Sequence, residues 1–555
     1  MMPRPAAHSS RRVAIRTAGA VALTLTASAF ALTAATPRFY PDDPIWRDPE
    51  SQTAARVKPI DLSDRYDAIE NSFLGAGERL DRRAANVNTL DEVPDSTWFT
   101  NRIGRKGMSA AELAKGPDSG SGPAAGSWTI VGAKTEGVQP GLTVRDTAGQ
   151  IYFVKFDPPS NPEMASGAEV ISTKLFHAAG YHVPENYLAT IHPDALIIGD
   201  RAEVVEDGKH RAMRRWDLDA VLAKSARNAD GSYRVLASKA LDGTPVGPFR
   251  YFGTRPDDPN DIFPHEHRRE LRGLGVLAAW LNHDDSRAPN TLDTLVPLDG
   301  RTVVRHHLID FGSTLGSGST RSQSRQAGNE FLWESRPAIV TMLTLGFYVR
   351  PWIKVAYPDL PSVGRFESSY FQPETWKPIY ANPAFANARP DDRFWAARLV
   401  AAINEEAIRT IVATARFSDP QATEYMTDTI LARRRKVLTS WLAGPNPIVD
   451  PVLDASGQLT VRNAAEQAGV GPSAHSYTVE WAVFDNAADA HQSATTEDAA
   501  GPTMRVPAAL LAGRPEFLSA RIGAIHPDHP AWAKPVTFFF RRTGSGWELV
   551  GVEGR

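Results

Sequence analysis

Three residues with side-chain oxygen donors, spread over two short segments, form the pattern in this sequence that is best suited to chemistry. Asp285 is followed five positions later by Asn290, and Asp310 lies within residues 308–312, twenty positions after Asn290. Transfer of a phosphoryl group requires metal ions on the phosphates, a carboxylate at the attacking hydroxyl and cations around the developing charge. Each short motif is common by chance, but the two together, with a predicted helix before them and a predicted strand between them, are far more specific. The pattern therefore favours phosphoryl transfer.

These two segments, residues 281–290 and 308–312, resemble the catalytic loop and the metal-binding loop of the protein-kinase-like superfamily. The resemblance implies that Asp285 orients the nucleophilic hydroxyl. It also implies that Asn290 and Asp310 hold Mg²⁺ or Mn²⁺ from two sides, with ATP as the phosphate donor.

The same resemblance assigns roles to the neighbours of Asp285. Arg287 stands where the family has its catalytic-loop Lys, and it would reach the transferred phosphate. His283 matches the His that packs this loop against the Asp-Phe-Gly segment. Asp284 replaces an Arg that often reads a phosphorylated activation segment, so control of that kind is not expected. The alternative is that all of these are solvated loop residues of an ordinary α/β domain.

Two residues upstream complete the expected nucleotide site. Lys155 lies on a predicted strand, Ile151–Phe156, and a strand Lys that faces the cleft can hold the α- and β-phosphates. Glu169 lies on the predicted helix that follows, residues 163–179, and would orient Lys155; Glu163 is the alternative. An isolated Lys–Glu pair is usually a surface contact of small energy. The order of these residues relative to the later motifs favours the functional interpretation.

A segment with glycines at 137 and 141, residues 137–142, resembles the phosphate loop of HipA-like serine/threonine kinases. The pattern Leu-x-x-Ala-Ala-Gly-x-x-Val-Pro, which follows Glu169 and ends at Pro184, resembles the same family. HipA-like proteins usually carry a Lys where Gly141 stands. The resemblance therefore implies that Gly137 and Gly141 bind nucleotide through backbone N–H groups. Residues 308–312 are more similar to the metal loop of phosphoinositide kinases and secreted atypical kinases, and no convincing Ala-Pro-Glu signal follows them.

The elements that must position these residues divide into a strand-rich part and a helical part. The resemblance implies an α+β, bilobal protein-kinase-like fold with a β-rich N-lobe and a helical C-lobe. Helices are predicted mainly from about 391 to 442, and strand patterns return beyond 447. The predicted divisions are an export signal or anchor (1–36), an N-terminal extension (37–126), a kinase-like domain (127–444) and a small C-terminal β domain (448–555).

The composition excludes several classes of protein. The chain has 555 residues, with 61 Lys and Arg against 64 Asp and Glu, a net charge of −3 and no cysteine. The near-neutral charge argues against a nucleic-acid partner. The absence of cysteine excludes disulfide scaffolds, cysteine nucleophiles and zinc fingers, and the 42% of hydrophobic residues excludes a disordered chain.

The first 36 residues are expected to be an export signal. Four arginines, the last at position 16, precede an uncharged stretch over 17–36 that contains small-residue cleavage patterns. Residues 10–16 also resemble a twin-arginine signal, which directs proteins that are exported already folded. The alternative is an uncleaved membrane anchor, because the stretch 17–36 is nearly of bilayer length. Either way, the protein is expected in the periplasm or cell envelope, or secreted.

The function expected from these observations is ATP-dependent phosphorylation of a hydroxyl by an exported atypical kinase. The acceptor is a protein Ser or Thr, a glycan or a small molecule. The alternative is an exported pseudokinase that binds nucleotide, a partner or a cell-wall component, and a third is a structural envelope protein with chance motifs. ATP is scarce outside the bacterial cytoplasm, but the complete set of candidate catalytic residues favours the active kinase.

Overall fold

The computed structural model of the protein describes residues 36–73, 77, 79–133, 141–206, 209–345 and 347–554. The expected export segment, 1–36, lies outside these residues except for its last position, and Gly137 of the expected phosphate loop also lies outside them. No helix within the described ranges is long and apolar enough to cross a membrane.

Residues 37–126 lie along other parts of the chain and join their cores. The helices of this extension are α1 (Asp64–Phe73), α2 (Ile103–Lys106) and α3 (Ala110–Lys115). Phe39 packs against Phe539 near the C-terminus, with ring centroids 5.2 Å apart. Trp98 and Phe99 are buried in the largest apolar core. The extension therefore contacts both the central and the C-terminal parts of the chain.

A seven-stranded sheet carries Lys155. Its strand order is β4-β7-β3-β2-β1-β5-β6, and all neighbours are antiparallel except β1 and β5. The elements of this region are β1 (Trp128–Ala133), β2 (Gly141–Arg145), β3 (Ile151–Phe156), α4 (Met164–Ala179), β4 (Asn186–Ile191), β5 (Leu196–Glu206), β6 (Lys209–Ala212), α5 (Arg215–Ala223) and β7 (Tyr233–Lys239). Strand β3 and helix α4 occur where the patterns predict them. Strands β5 and β6 are not predicted, because most of their side chains are exposed or half-buried and no regular apolar alternation marks them.

Close packing near its start and a glycine after its end fix the position of helix α4. All its side chains except His177 are buried. At Gly167 an added Cβ would lie 2.5 Å from the ring of Phe417, so only glycine allows this close approach. At the other end Gly180 has a φ of +130°, and its N–H donates to the Phe176 carbonyl at 3.1 Å, which ends the helix. The packing therefore fixes the direction in which α4 presents its polar residues.

A small sheet and one helix carry the two predicted loops. These elements are β8 (Thr244–Gly247), α6 (Arg269–Leu281), β9 (Thr291–Leu298) and β10 (Arg301–Leu308), with the sheet order β10-β9-β8. Helix α6 ends at Asn282, whose left-handed φ of +52° turns the chain out of the helix.

Further helices follow β10 along the chain. They are α7 (Ser335–Leu343), α8 (Pro383–Ala386), α9 (Pro390–Ala402), α10 (Glu405–Ala413) and α11 (Pro420–Trp441). Three of them, α8, α9 and α11, contact α6. Apolar side chains of α4, α6, α9, α10 and α11 form one core. Trp280 of α6 is fully buried, and its indole N–H donates to the Ile430 carbonyl at 2.9 Å. The helical region expected over 391–442 corresponds to α9, α10 and α11.

Residues from 448 onward form two further sheets, with the orders β11-β12-β15 and β14-β13-β16-β17-β18. Their elements are β11 (Ile448–Leu453), β12 (Gln458–Asn463), α12 (Ala464–Gln467), β13 (Ser476–Asp485), β14 (Ala490–Ala499), β15 (Thr503–Arg505), α13 (Ala508–Ala512), β16 (Phe517–Ile525), β17 (Val536–Thr543) and β18 (Gly546–Glu553). Trp481, Phe538 and Phe540 are buried between them. The chain as a whole is a mixed α+β protein.

Candidate active site

A hairpin brings Asn290 and Asp310 together. Strands β9 and β10 pair in antiparallel fashion, and their ladder ends with Thr291 opposite Leu308. One step further, the Ile309 N–H donates to the Asn290 carbonyl at 3.0 Å. The twenty positions between Asn290 and Asp310 are therefore taken up by the hairpin, and the two residues follow its paired ends.

The loop before the hairpin places Asp285 against Asn290. The Asn290 side-chain amide donates to the Asp285 carbonyl at 2.7 Å and to its Oδ2 at 2.9 Å. Arg287 donates from Nε to Asp285 Oδ1 at 2.6 Å, and its guanidinium lies 5.4 Å from the ring centroid of Tyr380. Both carboxylate oxygens of Asp285 thus have a fixed direction. The structure places Arg287 beside the carboxylate that is expected to orient the hydroxyl.

Lys155 joins three elements of the structure. Its ammonium donates to Asp310 Oδ1 at 2.7 Å and also forms an ion pair with Glu169 of α4. Lys155 and Glu169 are both buried, whereas 35% of the Asp310 side chain is exposed. Burial by itself would lower the pKa of Lys155, but the Asp310 and Glu169 carboxylates reverse this effect and raise it. The Lys155 ammonium therefore stays charged beside a carboxylate that solvent reaches.

The structure separates the two glutamates that the sequence leaves as partners for Lys155. Glu163, at the start of α4, accepts the Ser418 N–H at 2.8 Å and lies 3.8 Å from Arg234. Glu169 is nearly two turns further along the helix and contacts Lys155. Its other oxygen accepts the Phe311 N–H at 3.0 Å, so Glu169 also fixes the backbone next to Asp310.

His283 and Phe311 tie the two loops together. The ring centroid of Phe311 lies 4.9 Å from that of Phe176 on α4 and 5.7 Å from that of His283. Burial lowers the pKa of His283, so the imidazole packs in its neutral form. The loop with Asp285 and the segment with Asp310 therefore share one apolar contact at their base.

The backbone at Asp310 takes an uncommon conformation. Asp310 has a φ of +58°, in the left-handed region that side chains other than Gly rarely adopt. At Gly312 an added Cβ would lie 2.7 Å from Ser319 Oγ and 3.4 Å from Asp310 Oδ1. Conformations of this kind concentrate at functional sites, where the surrounding structure holds them in place.

Gly141 is the first residue of β2 and lies directly opposite Lys155 in the β2–β3 pair. Opposite residues of an antiparallel pair point to the same face of the sheet, so Gly141 places no side chain beside Lys155. Gly137, its expected companion, belongs to the part of the chain that the structure does not describe.

Asp284 has a role that the sequence analysis does not foresee. It is buried, and its Oδ1 accepts hydrogen bonds from the Ser313 hydroxyl at 2.9 Å and the Gln323 amide at 2.7 Å. Burial and the neighbouring Asp285 raise the pKa of Asp284 to about 7. The residue links the first loop to the chain that follows Asp310. In the sequence, Asp284 is distinguished only by its position beside Asp285, and that position is as compatible with a catalytic role as with a solvated one.

The donor set is compatible with a divalent cation that phosphates complete. No group of three or more His, Cys, Asp or Glu residues in the described ranges is arranged to hold a metal ion. Asp310 and Asn290 nevertheless supply oxygen donors on adjacent chain segments. Mg²⁺ is usually held in such sites by one or two carboxylates together with water and substrate phosphates. The two residues therefore fit a divalent cation whose other ligands would be water and phosphate oxygens.

A run of exposed apolar residues follows the site. Within 332–353, ten large hydrophobic side chains are exposed, and Leu345 and Phe347 reach 87% each. Single exposed hydrophobic residues are ordinary on protein surfaces, whereas extended exposed apolar surface marks contact with a protein or a membrane. The sequence analysis assigns no role to this run.

Comparison with known proteins finds distant similarity among solved structures only. No protein-family model and no curated protein matches the chain. Among solved structures, the chain is similar to the crystal structure of a Helicobacter pylori proinflammatory kinase, CtkA, with 14% sequence identity and a TM-score of 0.28. The match covers 55% of this chain and 94% of that one.

Proposed function

We propose that the protein is an exported atypical kinase that transfers the γ-phosphate of ATP to a hydroxyl acceptor. The observation that carries this proposal is the contact of Lys155 with both Glu169 and Asp310. Lys155 and Asp310 are 155 positions apart in the chain, and motifs that arose by chance would have no reason to meet. In this proposal the fold is bilobal: the seven-stranded sheet with α4 is the N-lobe, and α6 with α8 to α11 is the C-lobe.

The nucleotide would bind where the two lobes meet. Lys155, held by Glu169, would direct its ammonium to the α- and β-phosphates. Asp310 and Asn290 would supply the protein ligands of Mg²⁺ or Mn²⁺. When bound, the metal neutralises phosphate charge and so favours attack on the γ-phosphorus. Gly141 leaves room for the phosphates to approach the backbone of β2.

The acceptor hydroxyl would bind at Asp285. A carboxylate has about four lone-pair positions, and Arg287 and Asn290 use only part of that capacity. Asp285 can therefore accept a hydrogen bond from a hydroxyl and draw its proton away as the new bond forms. Arg287 keeps a positive charge next to that position, where the transferred phosphoryl group carries negative charge.

Export is a separate part of the proposal and rests on the N-terminal sequence alone. Mass spectrometry of the protein from the cell-envelope fraction should find a chain that begins at a cleavage site within the uncharged stretch 17–36, or an intact anchor in the membrane fraction. A soluble cytoplasmic protein with an intact Met1 would reject export.

The alternative function, a pseudokinase that binds nucleotide or a partner, is favoured by one observation. The exposed apolar run within 332–353 lies in the chain that follows Asp310, and a surface of this kind is typical of proteins that dock on others. In this alternative the same residues bind nucleotide, but no acceptor is phosphorylated.

One pair of measurements on the purified mature chain tests both functions. Calorimetric titration with ATP should detect binding that requires Mg²⁺ or Mn²⁺, and labelled phosphate should pass to a protein, glycan or small-molecule acceptor. Asp310→Asn should weaken Mg-ATP binding at least tenfold, because the phosphates lose a metal ligand. Asp219→Asn, which changes an exposed carboxylate on α5, is the matched control.

The outcomes separate the hypotheses. Absence of metal-dependent ATP binding, or equal affinities of Asp310→Asn and Asp219→Asn, would contradict the assigned site. Tight Mg-ATP binding with no labelled acceptor would favour the pseudokinase.

A further inference from the structure

A second polar cavity, of about 220 Å³, lies outside the candidate active site. Its walls come from the extension, the end of α4, the chain before β4, the end of β7 and strand β10. Six of its lining residues are cationic or imidazole side chains, namely Arg102, His177, His182, Lys239, Arg305 and His307. This set is called the basic pocket below.

Neither arginine of the basic pocket pairs with a carboxylate in the part of the chain that the structure describes. Arg102 donates to the main-chain carbonyls of His177 at 2.8 Å and Tyr181 at 3.1 Å, and it forms no ion pair with any described carboxylate. Arg305 likewise forms no ion pair within the described ranges, and its Nε is buried without a hydrogen-bond partner. A buried guanidinium N–H with no acceptor is costly to leave unsatisfied. One N–H group of Arg305 therefore lacks an acceptor among the described residues, and the Arg102 charge is met only by neutral carbonyls.

The other charges in the cavity do not supply one. Lys239 is already paired with Glu185 at 2.7 Å. The other oxygen of Glu185 accepts hydrogen bonds from Tyr187 and from Ser119. The remaining carboxylate on the wall, Asp242, is exposed.

The imidazoles add polar atoms that face the same space. His307 is only 7% exposed, and its Nδ1 lies 3.2 Å from the Leu292 carbonyl, while no described residue bonds to its Nε2. The ring of His182 lies 6.1 Å from that of His307. Burial lowers the pKa of His307 to about 4, and the Arg305 charge acts in the same direction. The positive charge of the pocket therefore helps to keep the His307 imidazole neutral.

We propose that the basic pocket binds a small oxyanion, either a phosphate or a small molecule that carries phosphate or carboxylate groups. The anion would accept hydrogen bonds from Arg102 and Arg305, which supply the charge-assisted donors that such groups prefer. A monohydrogen phosphate could also donate its own proton to Nε2 of the neutral His307. The volume leaves room for more than one phosphate group.

The position of the pocket gives the anion a structural consequence. Arg305 and His307 lie on β10, which leads into Asp310. Arg102 belongs to the extension and contacts the C-terminal end of α4, the helix that carries Glu169. A ligand that bridges Arg102 and Arg305 would tie the extension, α4 and β10 together. Binding to the folded state alone stabilises it in proportion to the logarithm of ligand concentration.

Calorimetry on the mature chain tests the proposal with phosphate, pyrophosphate and citrate as separate probes, in a buffer of constant ionic strength. At least one of them should bind, and their order of affinity distinguishes a phosphate ligand from a carboxylate ligand. Arg305→Gln and Arg102→Gln should each weaken binding at least tenfold. Arg409→Gln, which removes the same charge from an exposed face of α10, should leave it unchanged.

A further control separates this pocket from the candidate active site. Lys155→Met removes the cation of the active site, and it should keep the affinity for the probe that binds. Loss of that affinity in Lys155→Met, or an equal loss in Arg409→Gln, would overturn the proposal. If an arginine variant does not fold, thermal unfolding of the parent protein with each probe replaces the variant measurements. The proposal fails when none of the three probes raises the melting temperature more than chloride does.

Discussion

Two clusters of buried charge in this protein use the same chemistry and differ in access. The first, the Lys155 cluster, joins Lys155 to Glu169 and Asp310. The second, the Arg269 cluster, joins α6 to α9 and the extension, and consists of Arg269, Arg272, Asp91, Asp391 and Asp392.

The Arg269 cluster is closed. Arg269 is fully buried and contacts Asp391 at 2.7 Å, Asp91 at 2.8 Å and Asp392 at 3.0 Å. Asp392 also contacts Arg272 at 3.2 Å. Burial would raise the pKa of Asp91, but Arg269 and then Arg83 overcome it and lower the pKa. Arg83 also contacts Asp91, and Arg389 contacts both Asp391 and Asp81, so that four arginines face four carboxylates in the extended cluster.

The Lys155 cluster is open. Lys155 contacts Glu169 and Asp310, and 35% of the Asp310 side chain remains exposed, against 0% for Asp392. A fully buried ion-pair cluster has no room for a further charge, whereas a carboxylate that solvent reaches can also contact a bound cation. The comparison teaches that solvent access, and not the presence of a buried ion pair, distinguishes the cluster that could bind a ligand.

The largest expected effect comes from breaking the closed cluster. Arg269→Met leaves three buried carboxylates short of a partner and should cost about 3–5 kcal/mol of stability. Lys155→Met should cost clearly less, because Glu169 keeps the Phe311 N–H and can take up a proton in its buried site. Thermal and urea unfolding of both variants against the parent measure the difference. Equal losses would remove the distinction between the clusters.

Next in size is the effect of Asp285 on the reaction. If the protein is a kinase, Asp285→Asn should lower the rate of phosphate transfer about 10²–10⁴-fold, or ~3–5 kcal/mol of barrier, because the hydroxyl loses its proton acceptor. Its affinity for Mg-ATP should change little, in contrast to Asp310→Asn. Titration and labelled transfer on the same preparation measure both. A parallel loss of binding and rate in Asp285→Asn would place it among the nucleotide ligands instead.

Asp284 sharpens the comparison, because it is a buried carboxylate with no cationic partner among the described residues. Its folded pKa of about 7 lies above the unfolded value, so the folded state binds the proton more tightly. Its contribution to stability is complete below about pH 4 and falls as the pH rises to 7, by up to about 1.4 kcal/mol per pH unit.

Asp284→Asn keeps the acceptor oxygen and removes the titration. The variant should therefore gain stability relative to the parent as the pH rises from 4 to 7, and unfolding midpoints across that range measure the gain. Asp219→Asn is again the control. A constant difference between Asp284→Asn and the parent would mean that Asp284 does not titrate in this range.

The smallest effect is expected at Gly312. In Gly312→Ala the new Cβ would meet Ser319 Oγ at 2.7 Å and press on Asp310, which should cost about 1–3 kcal/mol in stability and weaken nucleotide binding. Adding Ser319→Ala should recover much of the loss, because it removes the clashing oxygen. Gly544→Ala, where nothing lies within 4 Å, is the matched control. If Ser319→Ala recovers no stability, the loss in Gly312→Ala comes from the backbone conformation and not from the contact with Ser319 Oγ.

Much of the local structure could be predicted from the sequence. Strand β3, helix α4 and the β9–β10 hairpin have regular apolar patterns or turn residues within one segment. The hairpin alone accounts for the approach of Asn290 to Asp310. Strands β5 and β6 could not be predicted, because their exposed positions leave no periodic signal.

The sequence by itself determined the residue types of the site and those local elements, since propensity and periodicity act over a few turns or one hairpin. Only the tertiary structure decided that Glu169, and not Glu163, meets Lys155, and that Arg269 meets Asp391 across 122 positions. It also decided that Asp284 is buried and that Arg305 meets no carboxylate within the ranges that the structure describes. The physical reason is that burial and long-range charge pairing depend on how separate elements pack, and no single segment carries that information.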